Sequence, residues 1–335
     1  MLLFRRGLVL VGIICFGLLV FTSVSSTSAH AKTIKLKIAH EMPENHPYHL
    51  GCIKFGEILA QKTAGRIEVV IYPNGQLGRQ IQLAEMVAAN QLDICLVWQG
   101  ILEGYDPDVG VISLPFIFDD WEHAWRVIDG SLGKKIFKPV EKTGIKVITV
   151  FNNGLYNIVS CIPVQNPEDM KGVNLRVQPS AVFVEAGEML GAVVKPMAFG
   201  EVYSALQLGT VDAEIQGPIN VRKSKHYEVA DYTCNNQMAF LLEPVLMSTE
   251  RFYSFSEEDQ DFIIESAHKA AIWQRQIAEE ADVVDTKFLK ENGMNYYEPD
   301  RGVWKAAMIP IYDKHPEWKD IIHGINVLSG KLKRN

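Results

Sequence analysis

The chain has 335 residues, of which 47% are hydrophobic and 22% charged, the composition of a globular protein with enough length for two domains. Its formal net charge is −7 at pH 7, which argues against nucleic acid as a partner because proteins that bind nucleic acid present basic surfaces. An anionic small molecule stays possible, since one arginine in a closed cleft dominates the local field.

The first 31 residues have the three parts of a secretory signal peptide. Arg5 and Arg6 form a positive start, residues 7–21 are apolar, and small polar residues lead to Ala29-His30-Ala31. The apolar segment is shorter than the ~20 residues of a membrane-spanning helix. We therefore predict a periplasmic protein cleaved after Ala31, with an uncleaved anchor as the alternative. Loss of the two arginines lowers the net charge from −7 to −9.

Strand and helix patterns alternate along the rest of the chain. We predict strands at residues 34–38, 67–72, 92–98, 145–151, 173–177, 193–195, 211–215 and 238–247. We predict helices at residues 47–64, 80–90, 121–142, 180–190, 199–208 and 259–291. Such alternation indicates an α/β fold with a mostly parallel sheet and helices on both faces.

Two features divide this pattern into halves. Asn152-Asn153-Gly154 follows a strand and predicts a crossover or hinge. The helix at 259–291, with Ser256 as its N-cap, would be about 50 Å long at ~1.5 Å per residue, enough to span two domains. We predict one lobe from residues 32–153 plus about 242–281. The other lobe is predicted to comprise residues 154–241 plus about 282–335.

The cysteines and histidines give little indication of a metal or redox centre. The four cysteines of the exported chain are Cys52, Cys95, Cys161 and Cys234. Their wide spacing, without a C-x-x-C pair, favours free and mostly buried thiols over disulfides. Near His40, His46 and His49, Pro43 interrupts the helix that an H-E-x-x-H zinc site needs. We predict no metal and no other cofactor.

Motifs for catalysis are also missing from the sequence. It contains no G-x-S-x-G, no Walker loop and no G-x-G-x-x-G. The paired acids Asp119-Asp120 and Glu257-Glu258 precede predicted helices, where acids stabilise the helix start. We predict that the protein is not an enzyme, and a periplasmic hydrolase is the least favoured alternative.

Five short motifs follow one another in order along the exported chain. They are PNGQLG at 73–78, SLPFIFD at 113–119, DMKGVNLRV at 169–177, GAVVKPMAFGEVYSALQ at 191–207 and HYEV at 226–229. Together they resemble the DctP-type substrate-binding subunit of the tripartite ATP-independent periplasmic (TRAP) transporters. The resemblance implies two α/β lobes joined by hinge strands, with a long helix along both. It also implies capture of a small organic anion between closing lobes and delivery to membrane permease subunits.

The same resemblance points to site residues. Arg176 matches the arginine that pairs with the ligand carboxylate, and its planar guanidinium suits that role. Further positions follow by matching the motifs and the strand ends: Gln216, Phe199, Tyr156, Trp98, Gln99, Glu41 and Glu243. Gln216 takes the place of a ligand-facing asparagine. Tyr156 stands where many members have a second arginine, a departure that weakens the case for a dicarboxylate.

The two glutamates favour one class of ligand. Glu41 and Glu243 near the site would repel a second carboxylate but accept hydrogen bonds from hydroxyl groups. We therefore predict a sugar acid, a hydroxy acid or a small hydroxysulfonate, ahead of a zwitterion and a C4-dicarboxylate. A ligand-sensing subunit of a membrane receptor is the alternative client. We expect a monomer and no nucleic-acid partner.

Overall fold

A computed structural model describes residues 33–329 of the protein, so the predicted signal peptide and its cleavage site lie outside the described residues. The strands are β1 (Ile34–Ala39), β2 (Ile67–Tyr72), β3 (Ile94–Leu96), β4 (Ile145–Ser160), β5 (Asn174–Val177), β6 (Val193–Pro196), β7 (Ala213–Gln216), β8 (Tyr232–Ser248) and β9 (Asn295–Tyr297). The helices are α1 (Pro47–Lys62), α2 (Gln80–Ala88), α3 (Trp121–Ile128), α4 (Ser131–Phe137), α5 (Ala181–Met189), α6 (Val202–Gln207), α7 (Pro218–Lys223), α8 (Thr249–Tyr253), α9 (Glu257–Glu291), α10 (Arg301–Met308), α11 (Pro310–Asp313) and α12 (Lys319–Val327). This is the predicted α/β fold.

The strands form one mixed sheet in the order β2-β1-β3-β8-β4-β7-β5-β6, with β9 beside β8. The strands β1, β2 and β3 are parallel to one another, and so are β5, β6 and β7. Between these two sets, β8 and β4 pair antiparallel to each other and to their outer neighbours. The prediction of a mostly parallel sheet is therefore correct for both outer sets and wrong for the centre.

The two parallel sets point their carboxyl ends at each other. β3 pairs with β8 at residues 245–247, and β7 pairs with β4 at residues 157–160, so the sets occupy opposite ends of the long central strands. Because each antiparallel pairing reverses the direction, the two sets run in opposite senses. Their carboxyl ends meet around the middle of β4 and β8, which is where open α/β sheets bind ligands.

The segment predicted as a crossover or hinge lies inside β4. The strand continues through residues 152–154 because β8 pairs with it on both sides of this segment, at Asn152 and again from Leu155. Its register against β8 shifts between Asn152 and Leu155, and Gly154 has a φ of 96°, a left-handed conformation that favours glycine. A bulge in a continuous strand thus replaces the predicted crossover loop.

The long helix α9 confirms the sequence pattern. It has 35 residues, and the Ser256 hydroxyl accepts a hydrogen bond from the Asp259 N–H at 3.2 Å as its N-cap. Gln274 holds the middle of β4, accepting from the Asn152 N–H at 2.8 Å and donating to the Asn152 carbonyl at 2.7 Å. The helix packs against α1, β4 and α7, and therefore along both halves of the sheet.

Alternate burial along β3 explains why helices cover both faces of the sheet. Ile94 and Leu96 belong to the apolar cluster beneath α1 and α9, whereas Cys95 belongs to the larger cluster beneath α2, α3 and α5. Side chains that alternate along a strand point to opposite faces. Both faces are therefore buried, as the apolar run in the sequence indicates.

Some predicted elements differ from the structure. The helix predicted at residues 121–142 is divided into α3, α4 and a 3-10 segment at Lys138–Thr143. Gly130 lies at the first break, and Pro139, which lacks an N–H donor, lies at the second. The elements α7, α8, β9 and α10–α12 were not predicted. Cys52, Cys95 and Cys234 are free and buried and Cys161 is free and half-buried, which confirms the prediction of free thiols. Between residues 33 and 329, no helix is long and apolar enough to cross a membrane.

Candidate ligand-binding cavity

A cavity lies where the two sets of strand ends meet. Open α/β sheets bind small molecules at such a position. Both halves of the sheet contribute to its walls. Seven of the eight predicted site residues line it: Glu41 after β1, Trp98 after β3, Tyr156 in β4, Arg176 in β5, Phe199 after β6, Gln216 in β7 and Glu243 in β8.

Arg176 is the buried cation of this cavity, with 1% of its surface exposed. Its Nε and Nη2 donate to the Met197 carbonyl at 3.3 and 3.1 Å. Its Nη1 lies 3.9 Å from Glu214 Oε2 and makes no hydrogen bond with the described residues. Burial lowers the pKa of Arg176 and the Glu214 carboxylate raises it, and an arginine so placed remains charged at neutral pH. The guanidinium therefore retains N–H groups for an anion.

Glu214 supports Arg176 from the neighbouring strand. The two residues are register partners in the parallel pair of β5 and β7. Glu214 is fully buried and does not line the cavity, and its Oε1 lies 2.6 Å from His226 Nδ1. A buried arginine needs a counter-charge nearby, because desolvation penalises an isolated ion. Sequence reasoning missed this residue, although its alternation with Gln216 places both on one face of β7.

Two carboxyl groups share the cavity with Arg176. Glu243 Oε1 accepts a hydrogen bond from Asn153 Nδ2 at 2.9 Å, and Oε2 has no partner among the described residues. Burial raises the pKa of Glu243 to about 8, opposed by the hydrogen bond from Asn153 and assisted by the charge of Glu41. Glu243 is therefore largely protonated at neutral pH in this environment. A neutral carboxylic acid can both donate to and accept from a ligand hydroxyl.

Glu41 is held more tightly than Glu243. Its Oε1 accepts from Gln80 Nε2 at 2.5 Å, and its Oε2 lies 4.0 Å from Arg79 Nη1. Burial raises the pKa of Glu41, while Gln80, Arg79 and Arg176 lower it. Gln80 Oε1 in turn accepts from the Trp98 N–H at 2.7 Å, so one amide side chain connects the ends of β1 and β3.

Aromatic rings form the apolar wall. Trp98 and Tyr156 meet edge to face at 6.3 Å between centroids, and both also pack edge to face on Phe183. The Tyr156 hydroxyl accepts a hydrogen bond from Gln178 Nε2 at 2.9 Å. Burial raises the pKa of Tyr156 well above its usual range, so the hydroxyl keeps its proton. Tyr156 therefore offers a neutral donor.

The amide of Gln216 is fixed by its neighbours. Its Oε1 accepts from the Gly217 N–H and from Asn220 Nδ2, both at 2.9 Å. Asn220 Oδ1 is itself hydrogen-bonded to His46 Nε2 at 3.0 Å. Burial lowers the pKa of His46 to about 3, so its ring is neutral and Nε2 donates this bond. Gln216 lines the cavity, so its Nε2 can donate to a ligand.

Gln99 is the predicted site residue that the structure places elsewhere. Its side chain is fully buried behind the cavity wall. Its Nε2 donates to the Phe240 carbonyl at 2.9 Å, and its Oε1 accepts from the Leu242 N–H at 3.0 Å. Because Trp98 already fills the cavity wall at the end of β3, the next side chain points the other way and satisfies the backbone of β8. Gln99 is therefore a structural residue.

Replacing Gln99 with leucine should lower the free energy of unfolding by about 2–6 kcal/mol, because a buried carbonyl and a buried N–H each lose their partner at roughly 1–3 kcal/mol. Ligand affinity of the folded fraction should change by less than about threefold. Urea unfolding and calorimetry measure the two effects. Gln91→Leu, at an exposed position, is the control for the same substitution. A large loss of affinity at unchanged stability would return Gln99 to the ligand site.

The histidines near the first strand do not form a metal site. His40 Nε2 lies 3.0 Å from His49 Nδ1, and His46 is bonded to Asn220. No group of three or more His, Cys, Asp or Glu side chains suited to a metal ion occurs in the described part of the chain. Each of the three rings makes at least one local hydrogen bond, and His40 Nδ1 is buried without a partner among the described residues.

Several lining residues were not predicted from the sequence: Met42, Arg79, Gln80, Ile81, Ile101, Gln178, Pro179, Ala198, Asn220 and Leu241. The sequence contains a pattern that could have predicted some of these lining residues. The turn at residues 73–78 follows β2, so residues 79–81 come from the carboxyl end of a parallel strand. The same rule applies to residues 178–179 after β5.

Comparison with known proteins places the chain among binding proteins. Residues 38–317 match the family model described as bacterial extracellular solute-binding protein, family 7. A TRAP periplasmic solute-binding protein of Chromohalobacter salexigens, solved with bound D-glucuronate, superposes with a TM-score of 0.84 at 29% identity over 88% of this chain and 99% of that chain. The 2,3-diketo-L-gulonate-binding periplasmic protein YiaO of Escherichia coli is 29% identical over 81% of this chain and 82% of its own length. The C4-dicarboxylate-binding periplasmic protein DctP of Rhodobacter capsulatus is 28% identical over 87% of this chain and 89% of its own length.

Proposed function

The chain belongs to family 7 of the bacterial extracellular solute-binding proteins, as the substrate-binding subunit of a TRAP transporter, and we propose that its ligand is a hydroxylated monocarboxylate such as a sugar acid. One observation carries the proposal. A single cavity holds one buried guanidinium with an unused N–H group and two buried carboxyl side chains, one of them the largely protonated Glu243. The first suits a carboxylate, and the others suit hydroxyl groups.

A C4-dicarboxylate fits this cavity less well. A second ligand carboxylate needs a second cation. Arg79 lines the same cavity but is paired with Glu41, and Tyr156 supplies only a neutral hydroxyl where many family members have an arginine. Glu41 would repel such a group, since like charges a few ångströms apart interact unfavourably by several kcal/mol away from bulk water. The D-glucuronate bound to the C. salexigens protein and the diketogulonate named for YiaO are both oxygenated acids, which supports the proposal by analogy.

The residues that line the cavity would contact different parts of the ligand. Arg176 would pair with the ligand carboxylate, and Gln216 Nε2 and the Tyr156 hydroxyl would donate to it or to an adjacent hydroxyl group. Glu41 and Glu243 would bind hydroxyl groups further along the ligand. Trp98 and Phe199 would cover its apolar C–H surface.

Delivery requires the cavity to open and close. We propose that residues 32–153 with about 242–281 form one lobe and that residues 154–241 with about 282–335 form the other. The bulge in β4 then lies at the bend. Closure sequesters the ligand in the periplasm after export and cleavage behind Ala31, and the closed protein hands it unchanged to the permease subunits. This is hinge closure around a ligand between two rigid bodies.

A thermal-shift panel should identify hydroxylated mono-acids as the ligands. D-glucuronate, D-galacturonate, D-galactonate and D-erythronate form one arm, and succinate, malate and an amino acid form the other. A ligand at 100 times its dissociation constant adds about 2.7 kcal/mol to the free energy of unfolding. We expect that scale of stabilisation from at least one acid of the first arm. Succinate binding at least tenfold more tightly than every acid of the first arm would reverse the assignment.

A further inference from the structure

Arg79 occupies the mouth of the cavity. It is the N-cap residue of α2, directly after the PNGQLG turn at the carboxyl end of β2. Its side chain lines the cavity and is nevertheless 55% exposed. One side of this side chain therefore faces the ligand space and the other faces solvent, as expected of a residue that covers an entrance.

The guanidinium of Arg79 rests on Gly200, which belongs to the opposite half of the sheet. Gly200 lies in the 3-10 turn Phe199–Glu201 that follows β6. A Cβ atom built on Gly200 would lie 2.3 Å from Nη1, 2.5 Å from Cζ and 2.6 Å from Nη2 of Arg79. Three atoms of the planar group are therefore in contact with one glycine, and only the absence of a side chain at residue 200 leaves this room. The contact joins the end of β2 to the end of β6.

An ion pair in the first half holds the guanidinium in this place. Glu41 Oε2 lies 4.0 Å from Nη1. Gly75 leaves space beside the same atom, since a Cβ on Gly75 would be 3.9 Å from it. Glu41 is itself fixed by Gln80. Arg79 thus pairs with Glu41 in one half of the sheet and contacts Gly200 in the other half.

From this geometry we propose that Arg79 is a clasp, which closes the cavity over the bound ligand by seating its guanidinium on Gly200. The inference rests on the proposed function, since it concerns release of the sugar acid from the same cavity. Arg176 determines whether the anion binds, and Arg79 determines how long the cavity stays closed over it. A clasp of this kind acts on the rate of dissociation.

A charge that only attracts the ligand behaves differently. Long-range steering by an exposed arginine raises the association rate and fades with added salt. The clasp is a short-range contact between two parts of the protein, and contacts that form after docking change mainly the dissociation rate. The ratio of the two rate effects therefore separates the clasp from steering.

Stopped-flow fluorescence with the sugar acid that stabilises the wild type most in the panel tests this proposal. Arg79→Ala should raise the dissociation rate about fivefold or more, corresponding to ~1 kcal/mol, and change the association rate by less than about twofold. Arg79→Lys should resemble Arg79→Ala, because a compact ammonium cannot lie flat on the glycine. Gly200→Ala should raise the dissociation rate as well, since its methyl group displaces the flexible end of Arg79 while the charge is retained.

Arg126→Ala is the matched control. Arg126 lies on α3, is partly exposed and pairs with Glu122 four residues earlier, so its removal should leave both rates unchanged. An association rate that falls in Arg79→Ala with an unchanged dissociation rate overturns the clasp in favour of steering. Dissociation from Gly200→Ala at the wild-type rate overturns it too. If the wild type binds none of the sugar acids, the proposed function fails and the clasp with it, whereas the other two outcomes leave the proposed function intact.

Discussion

Arg176→Met should weaken sugar-acid binding by roughly 30-fold to several thousand-fold. Removing one member of a desolvated charge pair costs ~2–5 kcal/mol, much of it from leaving the other charge unpaired, at ~1.4 kcal/mol per factor of ten. Arg176 is 1% exposed, so salt screens its pair with the ligand very little. Arg176→Lys keeps the charge and loses the planar fork, and it should fall between wild type and Arg176→Met. Isothermal titration calorimetry measures both variants.

Stability needs a separate control in this experiment. Methionine at residue 176 leaves the buried Glu214 with His226 as its one remaining polar partner among the described residues, and an uncompensated buried charge costs ~3–5 kcal/mol. The double variant Arg176→Met/Glu214→Gln removes that charge and should recover much of the lost stability without recovering binding. Arg126→Met, at the surface, should bind like wild type. If either variant lacking Arg176 binds within threefold of wild type, Arg176 does not hold the ligand.

The second large effect concerns the stability of the ligand-free protein against pH. Burial raises the pKa of Glu243 from 4.5 to about 8. The folded protein then binds more protons than the unfolded chain between these values, so the contribution of Glu243 is fully present below pH ~4.5 and is lost as the pH rises to about 8. At ~1.36 kcal/mol per pH unit the loss approaches about 5 kcal/mol as an upper bound.

Glu243→Gln tests this contribution directly. Glutamine has the shape of the protonated acid and can still accept from Asn153, so the variant should match wild type near pH 5 and exceed it in stability by several kcal/mol near pH 9. Urea unfolding at a series of pH values gives the two curves. Glu57→Gln, at an exposed residue, should follow wild type throughout. Parallel curves for wild type and Glu243→Gln would mean that Glu243 is ionised in the folded protein at neutral pH.

The proposed function gives these two residues different parts in selectivity. Arg176 would pair with an anion of any kind, and Glu243 as a neutral acid would favour ligands that carry a hydroxyl group within its reach. If both predictions hold, the Glu243→Gln variant should still bind sugar acids. Its affinity should lack the pH dependence that titration of Glu243 gives the wild type.

Local pattern determined much of what could be predicted from this sequence. The lengths and spacing of the apolar runs gave the alternation of strands and helices, because side-chain periodicity depends on neighbours a few residues away. Ser256 and the long amphipathic run predicted α9 nearly to the residue. The family resemblance of the ordered motifs led to Arg176 and Tyr156, the end of a strand led to Trp98, and a late predicted strand led to Glu243. All four line one cavity.

Tertiary structure decided what depends on residues distant in the chain. The antiparallel centre of the sheet arises because β8 inserts between β3 and β4, so β4 continues through residues that look like a loop when read alone. Gln99 and Trp98 are neighbours in sequence, but the position of β8 determines that one supports backbone and the other lines the cavity. Glu214 lies beside Arg176, which is 38 positions away in the sequence. Arg79 contacts Gly200, which is 121 positions away. Such pairs exist only once the strands are ordered in space, and no local propensity encodes that order.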